Sequence, residues 1–208
     1  MDLETAERDV DTSMSRRSLV TAGGAAALGG LAASLLATRP VLAAGEDSTE
    51  RPNGPTESDV ARLEQVIALE LAANDLYRAK LNSGAEGDLA VAVGVMAENH
   101  QAFAQAVSGM TGLSAGEPNA DVIAANVEGF TGSDPDFFAA AHALEQTAAA
   151  THTALIAEYE SDDAIALTAS IAVSEVRHAT VLADLLGVDD LDVLFGNTQS
   201  ALSLGDDA

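Results

Sequence analysis

The sequence predicts an all-α fold in which four long helices form two hairpins joined by one long crossover. Three observations predict it. The chain repeats: at an offset of 75 positions, the interval from Glu70 to Glu145, Leu69-Glu70 falls on Leu144-Glu145, Tyr77 on His152, His100 on Glu175, Phe103 on His178, Ala104 on Ala179 and Gly112 on Gly187, with no gap. Two copies of a helical hairpin bury their apolar faces only against each other. Apolar residues also recur at three- and four-residue spacing through long runs, and no segment alternates as a strand does. Finally, the 48% hydrophobic content is mostly Ala, Val and Leu, with 3% aromatic and no Trp, which suits close-packed helices.

The chain opens on polar, acidic residues 1–14, followed by Ser15-Arg16-Arg17-Ser18-Leu19-Val20, a Gly/Ala/Leu run and Val41-Leu42-Ala43. Charge, apolar run and small-residue cleavage pattern stand in the order of an export signal. The arginine pair Arg16 and Arg17 resembles a Tat signal, so residues 1–43 are expected to engage the Tat export machinery. Cleavage would leave the protein extracellular or at the cell surface; an uncut run would act as a membrane anchor. Residues 44–57, with Pro52, Gly54 and Pro55, read as a flexible linker.

Thr56 with Asp59 is a helix-start pattern, and Val60, Leu63, Ile67, Leu71 and Leu81 then follow at helical spacing. The first long helix is expected to end near Leu81, before Asn82-Ser83-Gly84. The second runs from Asp88 to Met110 and stops in the Gly109 to Gly112 segment. The connection beyond it contains Pro118 and Asn119 and a short helix near Asp121 to Asn126; its length is what a bundle with one crossover requires. Asp134 as N-cap and Pro135 as first helical residue start the third long helix, which extends to about Tyr159. Ser161-Asp162-Asp163 makes the turn, and the fourth runs to Leu186 with Gly187 as its stop. The bundle thus spans 58–188. In the tail, 189–208, Leu191, Leu194 and Phe195 are expected to pack on it before the chain frays.

Charge narrows the partners. The formal net charge is -24 and Lys80 is the only lysine, so nucleic acid and anionic membranes would be repelled. An acidic active site accounts for a few carboxylates, not for a bias over the whole chain. A surface adapted to molar salt accounts for it, because screening there removes most of the self-repulsion, and a salt-accumulating halophile is the expected source. The chain has no cysteine, which excludes disulfides, Cys-based zinc sites, iron-sulfur clusters and a thiol nucleophile.

Glu175 and His178 lie three residues apart in an apolar run, so a helix presents carboxylate and imidazole on one face. A four-helix site for two metal ions takes a Glu from each of two helices and a Glu-x-x-His from each of the others. Buried divalent cations require anionic oxygens to neutralise them and neutral imidazoles to complete coordination. Here the first helix offers Glu70, the third Glu145 and the fourth Glu175 and His178. The second offers His100 where the pattern has Glu and Phe103 where it has His. In another register His100 is the histidine and Ala97 replaces the carboxylate. Either way one ligand is missing, and Glu98, two residues from His100, faces away. Each candidate has an ordinary alternative: a solvated Glu at Glu70 or Glu145, a surface pair at Glu175 and His178, a structural histidine at His100. His142, one turn before Glu145, is an extra ligand or a surface residue; Tyr77 and His152 read as core side chains with a hydrogen bond, and Phe103 as core.

These residues make the chain resemble the ferritin-like superfamily, and within it the exported ferritin-like domain proteins of bacteria and archaea. The resemblance covers about residues 58 to 188. It rests on Leu69-Glu70 with Tyr77 seven residues on, Leu144-Glu145 with His152 seven residues on, Glu175-x-x-His178, and the order of the two hairpins. It implies one or two iron or manganese ions in the bundle core, handling dioxygen or peroxide and oxidising Fe(II). Glu145 and Glu175 would bridge or chelate, Glu70 and His178 would be terminal, and His100 would complete a weaker second subsite. His100 and Phe103 depart from the family pattern. The rival reading is a bundle that has lost the site and serves as a non-enzymatic binding or envelope-associated protein; its carboxylates would swing to solvent, whereas a working site gathers all five candidates. Oligomeric state is not written in these residues.

Overall fold

In the computed structural model, residues 52–114 and 116–203 are described, the side chain of Phe195 apart. The expected signal segment, with Arg16 and Arg17, lies outside the described residues. Six helices follow in order: α1 (Glu57–Asn82), α2 (Gly87–Thr111), α3 (Ala120–Thr131), α4 (Asp134–Ile156), α5 (Asp162–Leu185) and α6 (Leu191–Phe195). There is no strand among the described residues. The fold is all-α, a ferritin-like helical bundle in which α1 pairs with α2 and α4 with α5, while α3 in the crossover lies against α1 and α4.

Local chemistry sets the boundaries. At the start of α1 the Thr56 hydroxyl accepts the Asp59 N–H at 3.2 Å and the Asp59 carboxylate accepts the Thr56 N–H at 3.1 Å, a capping box. Asp59 is buried and also accepts the N–H groups of Glu160 at 2.9 Å and Ser161 at 3.0 Å, which ties the first turn of α1 to the α4–α5 connection. Burial alone would raise its carboxyl, but these backbone donors outweigh that and hold it below the usual carboxylate range. At the far end of α2, Gly112 takes a left-handed φ of 73° and closes the helix.

Several boundaries move from their expected places. α3 continues past Asn126 to Thr131 because Phe130 is fully buried between Tyr77 and Phe137, at 5.2 Å and 5.4 Å between ring centroids. Gly129 permits this: a Cβ there would stand 2.6 Å from that of Ala140 on α4. The N-cap of α4 is Ser133 rather than Asp134, because the Asp136 carboxylate accepts the Ser133 N–H at 3.2 Å and completes the first turn around it. α4 ends at Ile156 rather than Tyr159. The Glu158 and Tyr159 N–H groups fold back onto the Leu155 carbonyl, and Ser161 then caps α5 through the Ala164 N–H.

The tail differs most. Leu191 is exposed instead of packed, and 196–202 forms a strap along α4 rather than fraying. Asn197 donates to the Gln146 carbonyl at 2.7 Å, and the Leu202 N–H donates to the Thr151 hydroxyl at 2.9 Å while its side chain packs on the core. Polar positions on α4, Gln146 and Thr151, hold it together with the one apolar anchor Leu202.

The core has two parts. Leu76, Tyr77, Val93, Phe130, Phe137 and Leu144 belong to one; Leu63, Ile67, Phe103, Val107, Leu155 and Ile171 belong to the other. On each long helix the changeover between them falls at polar side chains: Glu70 on α1, His100 on α2, Glu145 and His152 on α4, Glu175 and His178 on α5. A polar layer thus crosses the middle of an apolar bundle. Among the described residues every Asp and Glu is exposed except Asp59, Glu70, Glu145 and Glu175, so three of the four buried carboxylates are in that layer.

Candidate metal centre

Four helices bring seven titratable side chains together, each 6% exposed or less. Glu70 lies between two imidazoles: Oε2 is 2.8 Å from His100 Nδ1, and Oε1 is 2.8 Å from His152 Nε2. The other nitrogen of His100 is 3.2 Å from Glu145 Oε1, and Glu145 Oε2 is 3.2 Å from His178 Nδ1. Tyr77 donates its hydroxyl proton to Glu145 Oε1 and stacks on His100 at 5.4 Å. Glu175 Oε1 is 3.6 Å from His100 Nδ1.

Two groupings have metal-binding dimensions. His100, Glu145, Glu175 and His178 offer atoms all within 4.8 Å of one another, and so do Glu70, His152 and Glu175. Glu175 is common to both. Both its oxygens, and Nδ1 of His152, are buried without a hydrogen-bond partner of good geometry among the described residues. Buried polar atoms are almost always paired, so a cation is the natural complement of these three.

The electrostatics agree with that reading. Burial first, and then the neighbouring Glu145 charge, push the Glu175 carboxyl well above the usual carboxylate range. Burial would raise Glu145 as well, but His178 and His100 outweigh it and hold Glu145 well below that range. Glu70 is likewise lowered against its burial by His100 and His152. His100, which burial would lower, is pushed up to about 10 by Glu145 and Glu70. Burial, followed by the Glu145 charge, lifts Tyr77 well above an ordinary phenol. Burial and the Glu145 charge thus disfavour the charged form of Glu175, and a dication beside it would favour that form.

All five candidate ligands, Glu70, His100, Glu145, Glu175 and His178, meet in this layer. The subsites divide them differently from expectation: His100 sits with Glu145 and His178, while the second grouping is completed by His152. His152 is buried and hydrogen bonded, as a core histidine should be, yet its partner is Glu70. Two signals in the sequence pointed to it. It lies seven residues, two helical turns, from Glu145, and it falls on Tyr77 in the repeat. His142 stays out of both groupings, half-buried, with Nε2 3.3 Å from Gln146 Nε2. Phe103 is core and meets His100 edge-on at 6.0 Å, and Glu98 faces solvent. The apolar neighbours that suggested burial for Glu175 were partly misleading, since Val173 and Val181 are 54% and 45% exposed.

A four-helix bundle with a carboxylate and imidazole layer across its core defines a class of protein, and the sequence comparison agrees with it. Residues 58–188 match the ferritin-like domain family, and the chain belongs to that family. No curated protein and no solved structure matches the chain.

Proposed function

We propose that this protein binds iron or manganese in the bundle core and oxidises Fe(II) with dioxygen or peroxide. The observation that carries the proposal is Glu175: a fully buried carboxylate shared by two metal-sized groupings, beside a second buried carboxylate, Glu145, whose charge opposes its own. His100, Glu145 and His178 would hold one ion with Glu175, and Glu70 and His152 would hold the other. Bound there, iron supplies one-electron redox chemistry, two Fe(II) giving the two electrons that, with two protons, take one peroxide to two waters. The chain's own part is to exclude bulk water with two apolar core clusters and to fix Glu145 through Tyr77 and His178, while Glu175 gives up its proton to ligate.

A second reading rests on His100. Both its ring nitrogens meet carboxylates, Glu70 on one side and Glu145 on the other, and an imidazolium so placed neutralises the layer without any metal. In that reading the bundle is a non-enzymatic binding or envelope-associated protein. The two separate on one experiment in molar salt, counting ions bound and Fe(II) oxidised by the wild type and by a Glu175→Ala, His178→Ala double variant. The proposal expects ion binding and oxidation that the double variant loses. A double variant that keeps both would overturn it.

Export and salt adaptation belong to the same proposal. They are supported by the order of charge, apolar run and small residues around Arg16 and Arg17, and by the outward placement of nearly all described carboxylates.

A further inference from the structure

His178 is held from two directions. Nδ1 faces the cluster, 3.2 Å from Glu145 Oε2, and Nε2 is 3.0 Å from Nδ2 of Asn99, a half-buried residue on α2. We propose that Asn99 is a positioning residue that sets the tautomer of His178 and so decides whether Nδ1 is free to ligate a metal ion. The inference rests on the metal-binding reading above.

The argument is one of proton counting. A neutral imidazole carries one N–H. While the Asn99 amide donates to Nε2, the proton sits on Nδ1 and points at Glu145, and no lone pair faces the grouping of His100, Glu145 and Glu175. A half-turn of the amide about its Cβ–Cγ bond presents Oδ1 instead. That oxygen accepts Nε2–H, and the Nδ1 lone pair then faces the grouping. An amide serves both tautomers. A carboxylate serves only the ligating one, and an alkyl group serves neither. The repeat sharpens the assignment: the counterpart of Asn99 is Ser174, whose hydroxyl donates to the Ser170 carbonyl of its own helix, and the counterpart of His178 is Phe103, which has no nitrogen to orient. The device exists on one half of the bundle only.

The test uses the full chain in molar salt with Zn2+ as a diamagnetic probe. Zn2+ affinity is measured for the wild type, Asn99→Leu and Asn99→Asp, and the His178 ring nitrogens are followed by long-range 1H–15N NMR. The expected result is a proton on Nε2 of His178 in the Zn2+-bound wild type. Asn99→Leu then binds Zn2+ roughly 10- to 100-fold more weakly, and Asn99→Asp binds at least as tightly as the wild type. Equal affinity in wild type and Asn99→Leu, or equal loss in Leu and Asp variants, overturns the proposal. So does an Nδ1 proton retained with Zn2+ bound, which the wild-type spectrum reveals even if a variant fails to fold. A wild type that binds no Zn2+ defeats the metal-binding reading itself, and the positioning role falls with it.

Discussion

The two hairpins descend through the same positions and have taken different chemistry into the core. On α4 and α5 the layer is Glu145, His152, Glu175 and His178; at the matching positions α1 and α2 carry Glu70, Tyr77, His100 and Phe103. Half of the symmetry of the repeat is visible in the contacts, since Tyr77 bonds Glu145 as His152 bonds Glu70. The other half is broken: Glu145 has His178 beside it, whereas the counterpart of that histidine is an apolar ring. A pseudo-symmetric fold therefore supports an asymmetric site, and the second hairpin supplies a histidine where the first has Phe103.

The largest expected effect breaks the comparison at its shared residue. Glu175→Ala removes a ligand from both groupings and is expected to abolish binding at both, as read by ions per chain. His178→Ala is expected to spare the grouping of Glu70, His152 and Glu175. Next, Phe103→Ala should cost about 3 kcal/mol in denaturant unfolding by opening a core cavity, without reducing the number of ions bound. Phe103→His would restore the symmetry. It is expected to cost about 1–3 kcal/mol in metal-free protein, because a buried imidazole replaces a ring, and to tighten ion binding beside Glu70.

Smaller effects test the frame that aligns the halves. Asp59→Asn should cost about 1–3 kcal/mol in unfolding at neutral pH, since three backbone N–H groups, those of Thr56, Glu160 and Ser161, meet a carboxylate there. Its sign with pH is fixed: a carboxyl lowered in the folded state stabilises fully above the ordinary Asp range near 3.8 and loses that contribution as pH falls through the folded value. The wild type should therefore lose its advantage over Asp59→Asn in strong acid. Smallest is the Lys80 to Asp134 pair, 2.8 Å apart with Asp134 59% exposed. Asp134→Asn, which leaves an amide oxygen to accept from the buried Lys80 ammonium, should cost about 1 kcal/mol or less, and less in molar salt.

The sequence carried the fold because repeat and periodicity are local and additive: the four long helices, the crossover and the Gly112 and Gly187 stops could be placed from neighbours alone. Phe130 lengthened α3 through a contact with Tyr77 far away in the chain, and Gln146 captured the strap through polar bonds that no periodicity marks. The site was legible where the family pattern survives, at Glu70, Glu145, Glu175 and His178. His152 was marked by its spacing from Glu145 and its place in the repeat, but its partner Glu70 and the role of Asn99 were not, because these depend on what lies across the bundle.

The most direct test of the asymmetric site is ions per chain, measured after loading with Fe(II) without oxygen in molar salt, for the wild type and His152→Phe. The account predicts two ions in the wild type and one in His152→Phe, the survivor being lost in His178→Ala. Two ions retained in His152→Phe would contradict it, because the second subsite would then owe nothing to the residue that replaces the missing ligand.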